Sequence, residues 1–188
     1  MGKLITGSSA SKVQNKIPVT MVQPRVDLHR SIYVDVIVPS PNGSLEQMLA
    51  QHPFLTGLEP GYLEFMSQEA TIVTFDSDQH ILLEGREAND FYLIHQGEVA
   101  LKTFLSPSEG FAKIQQLSAG DIIGWSWFVS PYHWQFSAFA TKPTTVIALD
   151  GKRLRDKSEA DHEFGYALQK RLLPVIGQRL QMTKKGLD

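Results

Sequence analysis

The sequence predicts a mainly β protein. An eight-stranded antiparallel β-roll of the jelly-roll type (a double-stranded β-helix) is expected between short N-terminal helices and one long C-terminal helix. The 188 residues are enough for one domain with a sizeable core. From residue 70 to residue 150, short runs of β-branched and aromatic residues alternate with turn residues at nearly regular spacing, which is typical of a sandwich or barrel. Helical hydrophobic patterns precede and follow this region.

Eight strands are expected because eight short runs of strand-forming residues are separated by residues that favour turns. The strands are predicted near residues 70–75, 80–84, 90–96, 98–105, 111–117, 121–123, 135–141 and 144–150. The turns between them are predicted at residues 76–78, 84–85, 96–97, 106–110, 119–120 and 142–143.

Helices are predicted on both sides of the roll. Ser44 is expected to cap a short helix, with Gln47 at the capping-box position, and a second short helix is expected over residues 60–69. A long helix is predicted from about residue 158 to 183, with Ser158 and Asp161 resembling a capping box. Pro174 lies inside it and is expected to remove one backbone hydrogen bond.

Apolar residues recur every four positions along the long helix. Such a stripe forms either a dimer seam or a face that packs on the chain's own roll, and the pattern alone leaves both open. Arg179 is assigned to the wetter side of this helix. The stripe consists of Phe164, Leu168, Leu172, Ile176 and Leu180.

Residues 1–43 differ in composition from the rest of the chain. Ser, Thr, Gly, Lys and Pro dominate up to Pro24, and one alternating apolar stretch follows from Ile32 to Val38. We expect an N-terminal arm that is partly disordered or docks on the domain or on a partner. The domain proper is predicted over residues 44–188.

The composition bears on function classes. The net charge of −2 and the pI near 6.3 lack the basic surplus of a nucleic-acid binder. No apolar run approaches a membrane span, and no signal peptide opens the chain. The absence of cysteine fits a reducing compartment. A cytoplasmic protein without direct DNA binding is therefore expected.

Several spaced motifs identify the family that this sequence resembles. They run from Leu83-Glu84-Gly85 through Gly97-Glu98-Val99 to Gly120-Asp121-Ile122-Ile123-Gly124. Together they resemble the cyclic nucleotide-binding domain family, as in the sensor domains of Crp/Fnr-like regulators, over about residues 45–182. Motifs in the right order are more specific than any single glycine pair. The resemblance implies a regulatory, ligand-binding β-roll and no catalytic residues.

The motif glycines also have local reasons. Gly85 and Gly97 lie where strands reverse, so a positive φ is expected there. Gly120 allows a tight turn before Asp121, and Gly124 would let backbone N–H groups approach a ligand closely.

In the family, a phosphate cassette follows this last glycine. The next residue is usually a Glu that accepts from the ribose, and an Arg ten positions after the glycine holds the cyclic phosphate. In this sequence Trp125 and Trp134 occupy those two anchor positions. His133, Gln135, Ser126 and Ser137 are the nearby polar candidates to replace the anchors. The divergent Gly124-Trp125-Ser126-Trp127 cassette therefore weighs against a normal cyclic nucleotide receptor, and no cofactor is expected to be required.

All three tryptophans of the chain lie within ten residues: Trp125, Trp127 and Trp134. They either fill the space of the nucleotide or form an aromatic box for another ligand. A docking patch for a protein partner is a third use.

Three classes of function follow. The first is a regulatory ligand-binding or adaptor module, with a protein partner still to be identified and a homodimer through the last helix. The second is a structural or interaction protein with a filled pocket. The third is a cupin-like metal-dependent enzyme, suggested by His80, Glu84 and His95 but lacking the usual His-x-His pair. We predict no metal site.

Overall fold

The structure, a computed structural model, describes residues 44–185, with side chains up to Lys184. The predicted arm over residues 1–43 lies outside the described residues, so its prediction is not tested.

Two short helices precede the roll, as predicted. They are α1 (Leu45–Gln51) and α2 (Pro60–Gln68), with a 3-10 turn at Pro53–Leu55 between them. Ser44 caps α1 because its side chain accepts from the Gln47 backbone N–H at 3.2 Å.

His52 links these helices to the roll. Its Nδ1 accepts from the backbone N–H of Phe54 at 3.3 Å, so its Nε2 carries the proton and donates to the carbonyl of Ile94 at 3.3 Å. The ring is buried, and burial lowers the pKa of His52. The imidazole is therefore held neutral as a structural hydrogen-bonding group.

The roll contains eight strands close to the predicted bounds. They are β1 (Ala70–Phe75), β2 (His80–Leu82), β3 (Asp90–Gln96), β4 (Glu98–Ser106), β5 (Gly110–Ser118), β6 (Ile122–Ile123), β7 (Ser137–Ala140) and β8 (Thr144–Asp150).

The second and seventh strands are shorter than predicted. The residues next to them pair outside the regular ladder: Gly85 N–H donates to the Trp134 carbonyl at 2.9 Å, and Trp134 N–H donates to the Arg86 carbonyl at 2.8 Å. Two loops are thereby held against each other, and Trp134 belongs to one of them.

The strands form two antiparallel sheets, in the orders β1-β8-β3-β6 and β2-β7-β4-β5. The first strand pairs with the last in register from Ala70 opposite Leu149. Fully buried aliphatic residues of both sheets make the core, among them Leu93, Ile94, Leu101, Leu117 and Ile147.

The predicted glycine turns are confirmed. Gly85, Gly97, Gly120 and Gly124 all have positive φ, between 79° and 102°. Gly97 is also sterically required, because an added Cβ would lie 2.5 Å from Thr144 Oγ1 and 2.6 Å from the Pro143 carbonyl oxygen.

The predicted long C-terminal helix is confirmed, but it begins at residue 162 and not near residue 158. The chain forms α3 (Gly151–Ala160) and then α4 (His162–Lys185). Asp150 caps α3 by accepting from Arg153 N–H at 3.0 Å, and Asp161 caps α4 by accepting from Phe164 N–H at 3.1 Å. Ser158 lies inside α3, so it does not form a capping box with Asp161.

The apolar stripe of α4 turns away from the domain along its length. Phe164, Leu168 and Leu172 are buried, Ile176 is half-buried, and Leu180 is 59% exposed. A helix rotates by about 100° per residue, so each four-residue step drifts by about 40° and places Leu180 about 160° from Phe164. Phe164, Leu168 and Leu172 therefore pack within the chain.

Arg179 occupies the face that the stripe leaves. It lies only about 60° from Phe164 around the helix and is 3% exposed. The prediction that Arg179 lies on the wetter side is wrong. None of the helices in residues 44–185 combines the length and apolar character that crossing a bilayer requires.

Candidate functional site: the cassette pocket

The cassette, defined here as residues 124–137, begins with a left-handed glycine. Gly124 has a φ of 84° and is followed by a 3-10 helix over Trp125–Phe128. A Cβ at Gly124 would lie 2.7 Å from the ring of Trp134. The glycine therefore permits both the backbone turn and the close approach of the indole.

The cassette pocket is almost full. Its volume is about 10 Å³, which is room for one water molecule at most. Small-molecule sites usually occupy roughly 300–1,000 Å³. The lining residues are Leu82, Leu101, Ile123, Gly124, Trp125, Ser126, Trp134, Gln135, Phe136 and Arg179. With these side chains in place, the pocket cannot hold a nucleotide.

The structure brings together most of the predicted ligand residues. Gly124, Trp125, Ser126, Trp134 and Gln135 all line the pocket. The indole of Trp134 is buried, whereas Trp125 is half-buried and Gln135 is exposed. Trp134 is therefore the main aromatic occupant of this space.

Trp127 does not line the pocket. It is fully buried and packs against Phe91 and Phe128, with ring centroids 5.4 and 5.2 Å apart. Its Nε1 has no hydrogen-bond partner among the described residues. Trp127 therefore anchors the 3-10 helix in the core and lies outside the pocket lining.

His133 and Ser137 also lie outside the pocket lining. His133 is exposed, with Nδ1 2.8 Å from the Pro131 carbonyl oxygen. Ser137 is buried, and its Oγ accepts from the backbone N–H of Glu84 at 3.1 Å. These two side chains are engaged in local structure.

The acidic motif residues have structural partners. The Glu84 carboxylate accepts from Thr103 Oγ1 at 3.1 Å and from Phe104 N–H at 3.0 Å, joining the loop after β2 to β4. Asp121 accepts from Ser118 N–H at 2.8 Å and stabilises the turn before β6.

Arg179 is the pocket residue that the sequence analysis missed. It reaches from α4 into the pocket, where it donates through Nη2 to the carbonyl of Ile122. Its Nε is buried and has no hydrogen-bond partner in residues 44–185. Burial lowers the pKa of Arg179 to about 10, and the nearby carboxylate of Asp121 opposes this effect.

A signal for Arg179 was present in the sequence. It lies seven residues after Leu172, which is two helical turns, and so belongs to the buried face once the true 3.6-residue period is used. A basic residue on an apolar helix face is a reason to look for a special environment.

The three residues of the metal-site hypothesis are not clustered. Among the described residues, no group of three or more His, Cys, Asp and Glu side chains converges to hold a metal ion. The ring of His80 instead contacts the ring of Phe139 in a tilted arrangement, with centroids 4.3 Å apart.

Comparison with known proteins identifies the fold and the domain. A family model described as the cyclic nucleotide-binding domain matches residues 72–161. No sequence among the curated proteins matches the chain.

Solved structures share the architecture. A candidate cyclic nucleotide-binding protein of Geobacter metallireducens is 28% identical, with a TM-score of 0.64 over 73% of this chain and 98% of that one. The sensor domain of the transcriptional regulator DNR from Pseudomonas aeruginosa is 20% identical, with a TM-score of 0.59 over 72% and 91%. The regulatory domain of Toxoplasma gondii PKA, crystallised with cAMP, is 15% identical, with a TM-score of 0.60 over 71% and 49%.

The eight antiparallel strands, the flanking helices and the family match agree with one another. Residues 72–161 therefore match the cyclic nucleotide-binding domain family, and the described part of the chain has the corresponding fold.

Proposed function

We propose that the protein is a regulatory module whose cassette pocket is occupied by its own side chains. In this proposal Trp134 and Arg179 take the place of a ligand, and no residue has a catalytic role. The protein acts through a partner and does not function as an ordinary cyclic nucleotide receptor. The observation that carries the proposal is a buried arginine from α4 inside a nearly filled pocket.

Pocket volume and charge support self-occupation. The remaining space is about 10 Å³, so a nucleotide could enter only if Trp134 or Arg179 moved. The residues at the family anchor positions are indoles, which carry no positive charge to pair with a phosphate and no acceptor for a ribose hydroxyl. Entry would therefore lose apolar packing without gaining the usual charged hydrogen bonds.

Arg179 supports a link between the pocket and α4. Below pH 10 its guanidinium is charged in both the folded and the unfolded chain, so its burial disfavours the folded state. The lowered pKa of about 10 corresponds to a cost on the order of 3 kcal/mol. A ligand or partner that binds better when Arg179 has withdrawn would shift α4 by selecting that state.

The proposal is tested by titrating the purified protein with cyclic AMP and cyclic GMP. We expect no saturable change in tryptophan fluorescence and no saturable heat below millimolar concentrations. All three tryptophans lie in the cassette, so a nucleotide in the pocket would change their emission directly. Saturation at micromolar nucleotide would mean that substitute anchors exist, and the self-occupied pocket would be rejected.

A homodimer is the second candidate, favoured by the outer face of α4. Leu173 and Leu180 are 57% and 59% exposed. They are spaced by seven residues and therefore share one side of the helix, opposite the buried stripe. This outer stripe fits a partner helix better than Phe164, Leu168 and Leu172, which the domain itself covers.

The dimer proposal predicts a change of oligomeric state in one double variant. Leu173→Glu with Leu180→Glu should convert a dimer to a monomer, because two carboxylates would be buried against a second copy. Sedimentation velocity measures this outcome directly. The matched control is Phe104→Glu, which changes a 49% exposed apolar residue on the roll and should leave the dimer intact. A wild-type protein that sediments as a monomer at high concentration would contradict the proposal.

A further inference from the structure

A second cavity lies outside the cassette pocket. Its volume is about 340 Å³, within the range of small-molecule sites. It opens between the loop after the cassette 3-10 helix and the corner where α3 meets α4. The residues that matter for its chemistry are Phe128, Tyr132, Arg155, Glu159, His162 and Tyr166.

Arg155 is a cation held in place without an ion pair in the described part of the chain. Its Nη1 donates to the Trp127 carbonyl at 2.6 Å, and its guanidinium carbon lies 4.4 Å from the centroid of the Tyr132 ring. None of the ion pairs among the described residues involves Arg155. Arginine has five N–H donors in a planar fork that suits a carboxylate or phosphate. Most of its donors are therefore available to an anionic ligand.

Tyr132 is held in a costly backbone conformation next to this arginine. Its φ is 59°, a left-handed value that a side-chain-bearing residue rarely adopts. Its N–H donates to the Val129 carbonyl at 2.9 Å, and its own carbonyl accepts from Ala88 N–H at 2.6 Å. The ring remains 38% exposed. The surrounding structure thus fixes a partly exposed aromatic ring at the cavity.

Other lining residues narrow the class of ligand. Phe128 and the 65% exposed Tyr166 add aromatic surface, which favours a planar ring through stacking. Glu159 also lines the cavity, and its carboxylate would repel a ligand with several negative charges. The volume limits the ligand to one or two rings.

We propose that this cavity is a binding site for a small planar aromatic molecule with a single negative charge. The anionic group pairs with Arg155, and the ring contacts Tyr132 and Tyr166. The site is separate from the cassette pocket, so its existence does not depend on the proposed self-occupation of that pocket. A molecule bound there touches both the cassette loop and the α3–α4 corner.

The probe for the test is para-fluorobenzoate, observed by fluorine NMR during titration with the full-length protein. We expect saturable binding in the millimolar range or tighter. The neutral isostere para-fluorobenzamide should bind at least about tenfold more weakly, because it cannot form the charged hydrogen bonds. Equal affinities for the two probes, or no saturation by the benzoate, would overturn the proposal.

Two variants locate the site. Arg155→Gln should weaken binding of the benzoate by at least about tenfold. Tyr166→Ala should weaken binding of the benzoate several-fold. Because Tyr166 is exposed, this variant should keep the fold intact even if Arg155→Gln disturbs the contact of Arg155 with Trp127. Phe104→Ala, an exposed aromatic on the roll, is the matched control and should bind like wild type. Unchanged affinity in both cavity variants would show that the probe binds elsewhere.

Discussion

The double variant Trp125→Glu with Trp134→Arg is expected to bind cyclic AMP about 10²- to 10⁴-fold more tightly than the wild-type protein. Each restored anchor adds hydrogen bonds to a charged group, worth about 1.5–3 kcal/mol, and every 1.4 kcal/mol is about tenfold in affinity. Both positions line the cassette pocket, and removal of two indoles also creates room. Isothermal titration calorimetry measures the gain.

The matched control distinguishes the effect of the anchor charges on cyclic AMP affinity from the effect of the space that the indoles vacate. Trp125→Gln with Trp134→Met removes the same indoles without introducing either anchor charge. If that control binds cyclic AMP as tightly as the Glu–Arg variant, the gain comes from volume alone. If neither variant binds cyclic AMP, the assignment of the two tryptophans to the family's anchor positions is incorrect.

Replacement of Trp127 by alanine is expected to destabilise the fold by about 3–5 kcal/mol, the usual cost of truncating a buried large aromatic residue. The side chain is fully buried against Phe91 and the backbone near Gly151. Trp125→Ala is the control within the same 3-10 helix. It should cost far less, because Trp125 is only half-buried. Urea unfolding followed by far-UV circular dichroism measures both changes.

Comparing the two alanine variants distinguishes a tryptophan that supports the core from one that lines the pocket. Similar losses for Trp125→Ala and Trp127→Ala would mean that both rings support the core equally, and the distinction between anchor and pocket residue would fail. Trp127→Phe should fall between alanine and wild type, because it keeps most of the packing and removes the unsatisfied indole N–H.

The roll could be predicted closely because its information is local. Alternating strand residues and turn residues mark the ends of each strand locally, so β1, β3 and β8 match their predicted bounds. The error in the last helix has a similar local origin. Asp150 caps α3 and Asp161 caps α4, whereas the pattern of Ser158 and Asp161 predicts a capping box with Ser158 as the cap. An apolar repeat of four was also extended beyond the point where it leaves the buried face.

The candidate site was less predictable because it is assembled by distant parts of the chain. The cassette residues are contiguous, and most of them do line one pocket. Arg179, however, comes from α4, and its depth depends on how that helix packs against the roll. The three tryptophans are the same residue type, so only the structure shows that Trp127 anchors the core while Trp125 and Trp134 line the pocket. The cavity at Arg155 likewise depends on tertiary placement.

The pairing of β1 with β8 has a consequence for the order in which the molecule forms. The first strand hydrogen-bonds to the last one, so this sheet cannot close until the ribosome has released nearly the entire roll. Such long-range pairing must overcome a large loop-closure entropy, and proteins rich in it fold slowly, in milliseconds to seconds. The hairpin of β4 and β5 can form earlier, because its two strands are adjacent in sequence and pair directly with each other. We therefore infer that the β4–β5 hairpin forms early and that β1 joins last. The backbone edge of β1 thus stays unpaired in the nascent chain.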